Sequence, residues 1–414
     1  MTLSSTAAAT SLPETYDPLN EQVKQNPYPY YAMMRASEPV KYLPHMDTYA
    51  VATYEGVDKV LKDHKSFSSQ HFWPELLGEY DPVPEVPPMI SMDPPNHMHL
   101  RKLANKAFMP SKVAALEDRA RAIATELVEG LVAKYGNEGE FDWVWEFTAL
   151  YPVTVICEVL GVPTERRAEF KVWVDDLLGA ANRHAYGPER LAEIRKHSDE
   201  LRQFFEELYD LRKQDPQDDL ISTFITAEVN GETMSRLEVL QMATLLLIGG
   251  VETTTNLLGC TMVELRRHPD IYARVQADHS LIPPLLEETL RFNPVVQMLF
   301  RHTIEDTELC GVKIPKGKAV MPLLGSANRD ASKYANADVF DIDRKPEAPM
   351  MSFGQGPHFC LGSFLARMEA RVALEVVFSR LEKVEPIAEA DEVVWLDSYF
   401  ARGPHTLPVR FKAR

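Results

Sequence analysis

The sequence predicts a mainly α protein with small β-sheets, and three observations carry that prediction. From Pro94 to Leu265 most segments place apolar residues at helical spacing, as in Leu116 to Leu131 and Leu237 to Leu265, with breakers at Gly136, Pro163, Gly187 and Pro216. Nearer the N-terminus, Thr48-Tyr49-Ala50-Val51-Ala52-Thr53-Tyr54 alternates as a half-buried strand does. Beyond Glu305, turn and strand chemistry runs to Asp343, as in Gly311-Val312-Lys313-Ile314-Pro315-Lys316-Gly317, and a helical pattern from Leu365 to Leu381 precedes a strand-like tail. No internal repeat, low-complexity tract or linker divides the chain, so residues 1–414 are expected to form a single domain. Within it, the reading places an N-terminal β-containing part at about 39–95, a helical core at about 94–292 and a C-terminal part at about 293–414.

Composition narrows the function classes. The 414 residues carry 44 basic against 61 acidic side chains, a formal charge of −17, which argues against a protein that neutralises nucleic-acid phosphates. The N-terminal stretch MTLSSTAAATSLPETYDPLNEQ lacks the basic start and apolar run of a secretory signal, so a cytoplasmic location is expected. The longest apolar run, Met242 to Val251, stops at Glu252, short of a bilayer span, and no transmembrane helix is predicted. Cys157, Cys260, Cys310 and Cys360 are scattered without the spacing of a disulfide framework or zinc knuckle. The first three are expected to be small core residues. The segment Ser69 to Pro95 is long, Pro-rich and aromatic, and reads as a lid over an apolar pocket.

The sharpest chemistry lies at Phe353-Gly354-Gln355-Gly356-Pro357-His358-Phe359-Cys360-Leu361-Gly362-Ser363-Phe364-Leu365-Ala366-Arg367. A Gly-rich loop there delivers one cysteine to the start of a helix, whose free N–H groups and positive dipole end favour a thiolate. Such a sulfur could be a nucleophile, a zinc ligand or an axial haem ligand. Only His358 is close enough to help a zinc site, and Phe359 occupies the position where a dinucleotide loop needs glycine. Three more segments are notable. Gly249-Gly250-Val251-Glu252-Thr253-Thr254 interrupts an apolar helix; Thr253 stands four residues after Gly249, so its hydroxyl can bond that carbonyl and leave room for a small ligand. Glu288 and Arg291 share a helix face, as do His97 and Arg101, with His99 off that face and expected in solvent.

The segment from Phe353 to Arg367 resembles the signature FGxGxHxCxGxxLAR of the cytochrome P-450 family, without a departure, and the other segments extend the resemblance over most of the chain. It implies the cytochrome P-450 fold, a triangular α-rich domain with a long central helix over the haem, in which the loop and C-terminal part present the cofactor's ligand. By that resemblance Cys360 is the thiolate axial ligand of haem b, iron protoporphyrin IX. Thr253 orients dioxygen or its water, and Glu252, where many members carry Asp, relays protons. His97, Arg101, Arg301 and His358 bind the two propionates, for which Arg is suited by its bidentate fork. Glu288, Arg291 and Arg344, the last from Phe340-Asp341-Ile342-Asp343-Arg344, form a structural triad that fixes the cysteine loop.

The expected activity is therefore monooxygenation: hydroxylation of a small apolar substrate, of terpenoid, fatty-acyl or polyketide-like type and belonging to secondary metabolism. Epoxidation or oxidative dealkylation by the same machinery, a non-catalytic haem carrier or sensor, and a Cys360-dependent hydrolase are the alternatives. The pocket walls are expected at Leu245, Ile248, Gly249, Val295, Val296, Tyr399 and Phe400. No flavin or nicotinamide fingerprint is visible, so electrons should come from a separate acidic ferredoxin-type donor with its reductase. The basic stretch containing Arg101, Lys102, Lys106, Lys112, Arg119 and Arg121 is its candidate docking face. The protein is expected to act as a monomer, without nucleic acid or membrane.

Overall fold

The structure is a computed structural model that describes residues 15–414 except 181, 182, 184, 185, 388, 390 and 391. Its centre is the helix Arg236–Arg267. At a rise of about 1.5 Å per residue this helix is about 48 Å long, and both ends explain its length. Ser235 caps the first turn by a reciprocal pair: its Oγ accepts from the Glu238 N–H at 3.3 Å, and its own N–H donates to Glu238 Oε2 at 2.7 Å. Arg266 and Arg267 close the last turn, where positive charge opposes the dipole. The helix is long and apolar enough to cross a membrane by length and composition, yet half of its apolar window is buried against neighbouring protein. It belongs to the main core, whose members also come from Glu117–Tyr135, Leu150–Leu160, Arg167–Gly179, Pro188–Gln214, Ile282–Phe292 and Ser363–Arg380.

Helix accounts for 56% of the structure, and the sheets are subordinate. The largest has five strands in the order Val40–Leu43, Thr48–Val51, Ala319–Pro322, Arg301–Thr303 and Phe67–Ser68. All neighbours whose register is defined are antiparallel except Thr48–Val51 and Ala319–Pro322, which run parallel and join two chain segments far apart in sequence. A three-stranded sheet orders Leu381–Pro386, Pro408–Ala413 and Glu138–Asp142. Two smaller apolar clusters pack against the five-stranded sheet and the N-terminal helices.

Several expectations are corrected. The alternation from Thr48 to Tyr54 ends as a strand at Val51; Thr53 then caps a helix, accepting from the Gly56 N–H, and Tyr54 begins that helix, Tyr54–Lys62. The segment from Ser69 to Pro95 is not an irregular loop throughout. It contains the short helix Phe72–Leu76 and single turns at Gly78–Tyr80 and Met89–Ser91. Buried Asp81 organises it by accepting from Trp73 Nε1 at 3.1 Å, the Val83 N–H at 3.0 Å and Gln241 Nε2 at 2.9 Å. Cys157 and Cys260 are buried, but Cys310 is exposed. It sits with Gly311 at the tip of the hairpin Thr307–Leu309/Val312–Ile314, both with positive φ, a two-residue turn that belongs at the surface.

Candidate active site

The cysteine loop is built by backbone constraints. Gly354 and Gly356 have φ of +68° and +69°, and a Cβ on Gly356 would lie 2.8 Å from the Leu61 carbonyl, so glycine is required where the loop passes the end of helix Tyr54–Lys62. The Cys360 N–H donates to the Phe353 carbonyl at 2.8 Å, closing the loop just before helix Ser363–Arg380. The helix-end argument for a thiolate is outweighed here. Burial pushes the Cys360 thiol up; a Gly362 backbone N–H, Arg101 and Arg367 act against that rise without cancelling it.

Around it the fold gathers two histidines, His97 and His358, and two arginines, Arg101 and Arg301. His97 is 1% exposed, and neither of its ring nitrogens has a hydrogen-bond partner; buried Nε2 of His358 has none either. The two rings lie with centroids 4.1 Å apart, tilted by 45°. Arg301 is 4% exposed and its side chain donates, among the described residues, only to the Phe300 carbonyl, at 2.7 Å, while Arg101 Nε donates to Asn105 Oδ1 at 3.1 Å. Burial first, and neighbouring positive charge second, lowers His97 to about 4 and His358 to about 2; burial takes Arg301 down to about 10. The nearby carboxylate of Asp93 is already engaged by Ser68 Oγ and the Ser69 N–H. Orphaned buried donors of this kind cost free energy unless an anionic acceptor meets them.

A pH dependence follows. Both histidines have folded pKa values below the unfolded value of about 6.5, so protons favour the unfolded chain. Stability is fully present above about pH 6.5 and falls as pH drops toward 4. Melting curves of cofactor-free protein should shift to lower temperature between pH 7.5 and pH 5, and less so once an anionic ligand fills the cradle. Equal melting at both values would contradict this account of the cluster.

On the other side of the site, Thr253 Oγ1 donates to the Gly249 carbonyl at 2.7 Å, within a helix that continues without interruption. A Cβ at Gly249 would meet nothing within 4 Å, so open space flanks the helix there. Glu252 has its pKa raised by burial and makes no hydrogen bond or ion pair among the described residues. Leu245 and Ile248 pack partly buried against the main core. Val295 and Val296 follow helix Ile282–Phe292 and meet the C-terminal segment through a Val296–Ala401 bridge and a 2.8 Å bond from the Gln297 N–H to the Phe400 carbonyl. Phe400 approaches Phe72, ring centroids 6.1 Å apart. Tyr399 packs with Phe400 against the smaller apolar cluster of the N-terminal helices and also lines a small cavity with Tyr16, Tyr31 and Gln297, its ring 6.4 Å from Phe300.

The third group lies behind the cysteine loop. Arg291 donates through Nε and Nη2 to Glu288 at 2.8 and 2.6 Å, and to the carbonyls of Asn328, Ala337 and Val339. Arg344 Nε reaches Glu288 Oε1 at 3.3 Å and ties the carbonyls of Ala335, Asn336 and Val339. The basic stretch is less available than its sequence suggests: Arg119 pairs with Glu158, Arg121 with Glu117 and Glu375, and Lys112 lies 3.7 Å from Asp218. Lys106 donates to the Glu228 carbonyl, whereas Lys102 is exposed. His99 is partly buried, 3.4 Å from Glu232. Sequence reasoning missed Asp81 and Gln241; an acid inside an apolar, Pro-rich stretch was the available signal.

Comparison with known proteins places these features. The family model for cytochrome P450 matches residues 39–393. A vitamin D(3) 25-hydroxylase of Pseudonocardia autotrophica is 36% identical over 417 residues, spanning 99% of both chains. The structure of CYP109Q5 from Chondromyces apiculatus superposes with a TM-score of 0.89 at 40% identity, over 97% of this chain and 99% of its own. CYP109E1 from Bacillus megaterium, solved with testosterone, gives 0.83 at 34% identity, over 93% and 99%. The chain belongs to the cytochrome P450 family. It is a monooxygenase of that family, whose members bind haem.

The residues present fit such a group. A haem brings two carboxylates and an iron cation; the cradle holds unpartnered ring nitrogens on His97 and His358 beside Arg101 and Arg301, and Cys360 is a half-buried thiol whose thiolate Arg101 and Arg367 favour.

Proposed function

We propose that this protein hydroxylates an apolar, polycyclic or long-chain small molecule, using haem b and two electrons from an acidic ferredoxin-type donor with its reductase, in the cytoplasm and as a monomer. The observation that carries the reading is the pairing of open, apolar-walled space at Gly249 with the unpartnered Glu252 and the Thr253 hydroxyl. Relatives support the substrate class: one is named a vitamin D(3) hydroxylase, and another was solved with testosterone.

In this reading Cys360 holds the iron, and His97, Arg101, Arg301 and His358 take the two carboxylates. When bound, the haem supplies dioxygen activation. Everything else falls to side chains. Glu252, its pKa raised by burial, keeps a larger protonated fraction near neutral pH than an exposed glutamate and can hand that proton inward. Thr253, anchored on the Gly249 carbonyl, presents its hydroxyl oxygen to a donor on the open side. Leu245, Ile248, Val295, Val296 and Phe400 exclude water and orient apolar substrate. Glu288, Arg291 and Arg344 keep the loop that carries Cys360 in place. Exposed Lys102 is the basic group best placed to attract an acidic electron donor.

The test is turnover with a separate ferredoxin and reductase on steroids, secosteroids and long-chain fatty acids that produce a spin-state shift. Wild type should place one oxygen atom in product per two electrons. Thr253→Ala should still consume reductant but lose product yield by on the order of tenfold or more, releasing peroxide instead. Retained yield per electron would reject the role given to Thr253, and silence across the substrate panel would reject the substrate class.

A further inference from the structure

Glu287, immediately before the triad glutamate, faces away from that triad. Its carboxylate grips Arg367 of helix Ser363–Arg380 through both oxygens, with Nε to Oε1 at 2.5 Å and Nη2 to Oε2 at 3.0 Å. The guanidinium so held lies over the Phe353 ring, 4.4 Å from its centroid. Phe353 is the residue whose carbonyl accepts the Cys360 N–H. One chain of contacts thus runs from helix Ile282–Phe292 to the cysteine loop: carboxylate, guanidinium, ring, carbonyl, cysteine. Glu288 and Arg291 brace the segment 328–344 from the same helix, so adjacent glutamates anchor two different supports of one site.

We propose that Glu287 is a positioning residue for Cys360, acting through Arg367 and the Phe353 ring. The side chains of Arg367 and Glu287 are 32% and 41% exposed, so as a simple ion pair they would add little to global stability. What the pair provides is geometry. A bidentate carboxylate fixes the plane of the guanidinium, and a fixed plane can stack on an aromatic face; a lysine at position 367 offers a point charge with neither property. Arg367 is also one of the two cations that favour the thiolate of Cys360.

The inference rests on Cys360 as the haem ligand, and the test separates the two. The measured quantity is the rate at which the red-shifted Soret band of the reduced, carbon-monoxide-bound haem protein converts to the band of a neutral-ligand form in mild urea. Glu287→Gln and Arg367→Lys should each speed conversion roughly two- to fivefold, the double variant should convert no faster than the quicker single, and Glu287→Asp should restore most of the wild-type rate. Global melting temperatures should stay near wild type. Unchanged conversion rates, fully additive effects, or a melting loss that accounts for the faster conversion would each overturn the positioning role. A wild type with no red-shifted band at all would instead overturn the assignment of Cys360, and the proposal with it.

Discussion

Cys360→Ser is expected to abolish monooxygenation while leaving the fold intact. The replacement has nearly the same shape, and the loop's shape depends on backbone bonds: the Cys360 N–H to the Phe353 carbonyl at 2.8 Å, and the positive-φ glycines Gly354 and Gly356. What disappears is the sulfur's capacity to ionise and to donate charge to the metal. A hydroxyl in the same half-buried position holds its proton still more firmly than the thiol, which burial already pushes up. Product formation should fall by on the order of 10³-fold or more, the scale seen when a reacting group is removed. The reduced, carbon-monoxide-bound spectrum should lose its red-shifted Soret band, and far-ultraviolet circular dichroism should be unchanged. Persistence of the shifted band would show that another residue ligates the iron.

Arg291→Lys should have the largest effect on stability. Arg291 is 3% exposed and spends its guanidinium on five bonds, two to Glu288 and three to the carbonyls of Asn328, Ala337 and Val339. Lysine has three donors on one atom and cannot span those acceptors, so carbonyls remain buried without partners and Glu288 is left half-neutralised. Breaking a buried pair in this way costs about 3–5 kcal/mol. The urea midpoint should fall accordingly, and cofactor retention with it, because the freed segment 328–344 adjoins the cysteine loop. Arg371→Ala provides the contrast. Arg371 also makes charged bonds, to Glu117 and Glu375, but at a partly exposed site, and its loss should cost under about 1 kcal/mol. Equal effects would mean that burial is not what gives the triad its weight.

The residues legible in advance share one property: their geometry is local. Thr253 bonds Gly249 because four residues make one helical turn, and Glu288 meets Arg291 because three residues nearly do. The central helix was legible as Leu237 to Leu265 from its apolar spacing, within the observed Arg236–Arg267, and the cysteine loop from its glycines. Misreadings arose where a local pattern was extended past its evidence. The alternation through Tyr54 ignored Thr53 as a helix cap, and Cys310 was counted with the core although Gly311 beside it marks a hairpin turn.

By itself, then, the amino-acid sequence determined a mainly α chain, the glycine loop that carries Cys360, and the local geometry of Thr253 on Gly249 and of the Glu288–Arg291 pair. Only the tertiary structure decided what surrounds those groups. It sets the His97 and His358 rings 4.1 Å apart, buries Arg301 beside them, and brings Arg344 to Glu288 across 56 residues. It also holds Lys112, Arg119 and Arg121 of the basic stretch in ion pairs and turns Cys310 outward. The physical reason is the range of the forces concerned. Hydrogen bonds within a turn depend on spacing along the chain, whereas desolvation and charge pairing depend on which distant segments pack together. Burial, not helix position, therefore sets the direction in which the Cys360 thiol and the Glu252 carboxyl shift.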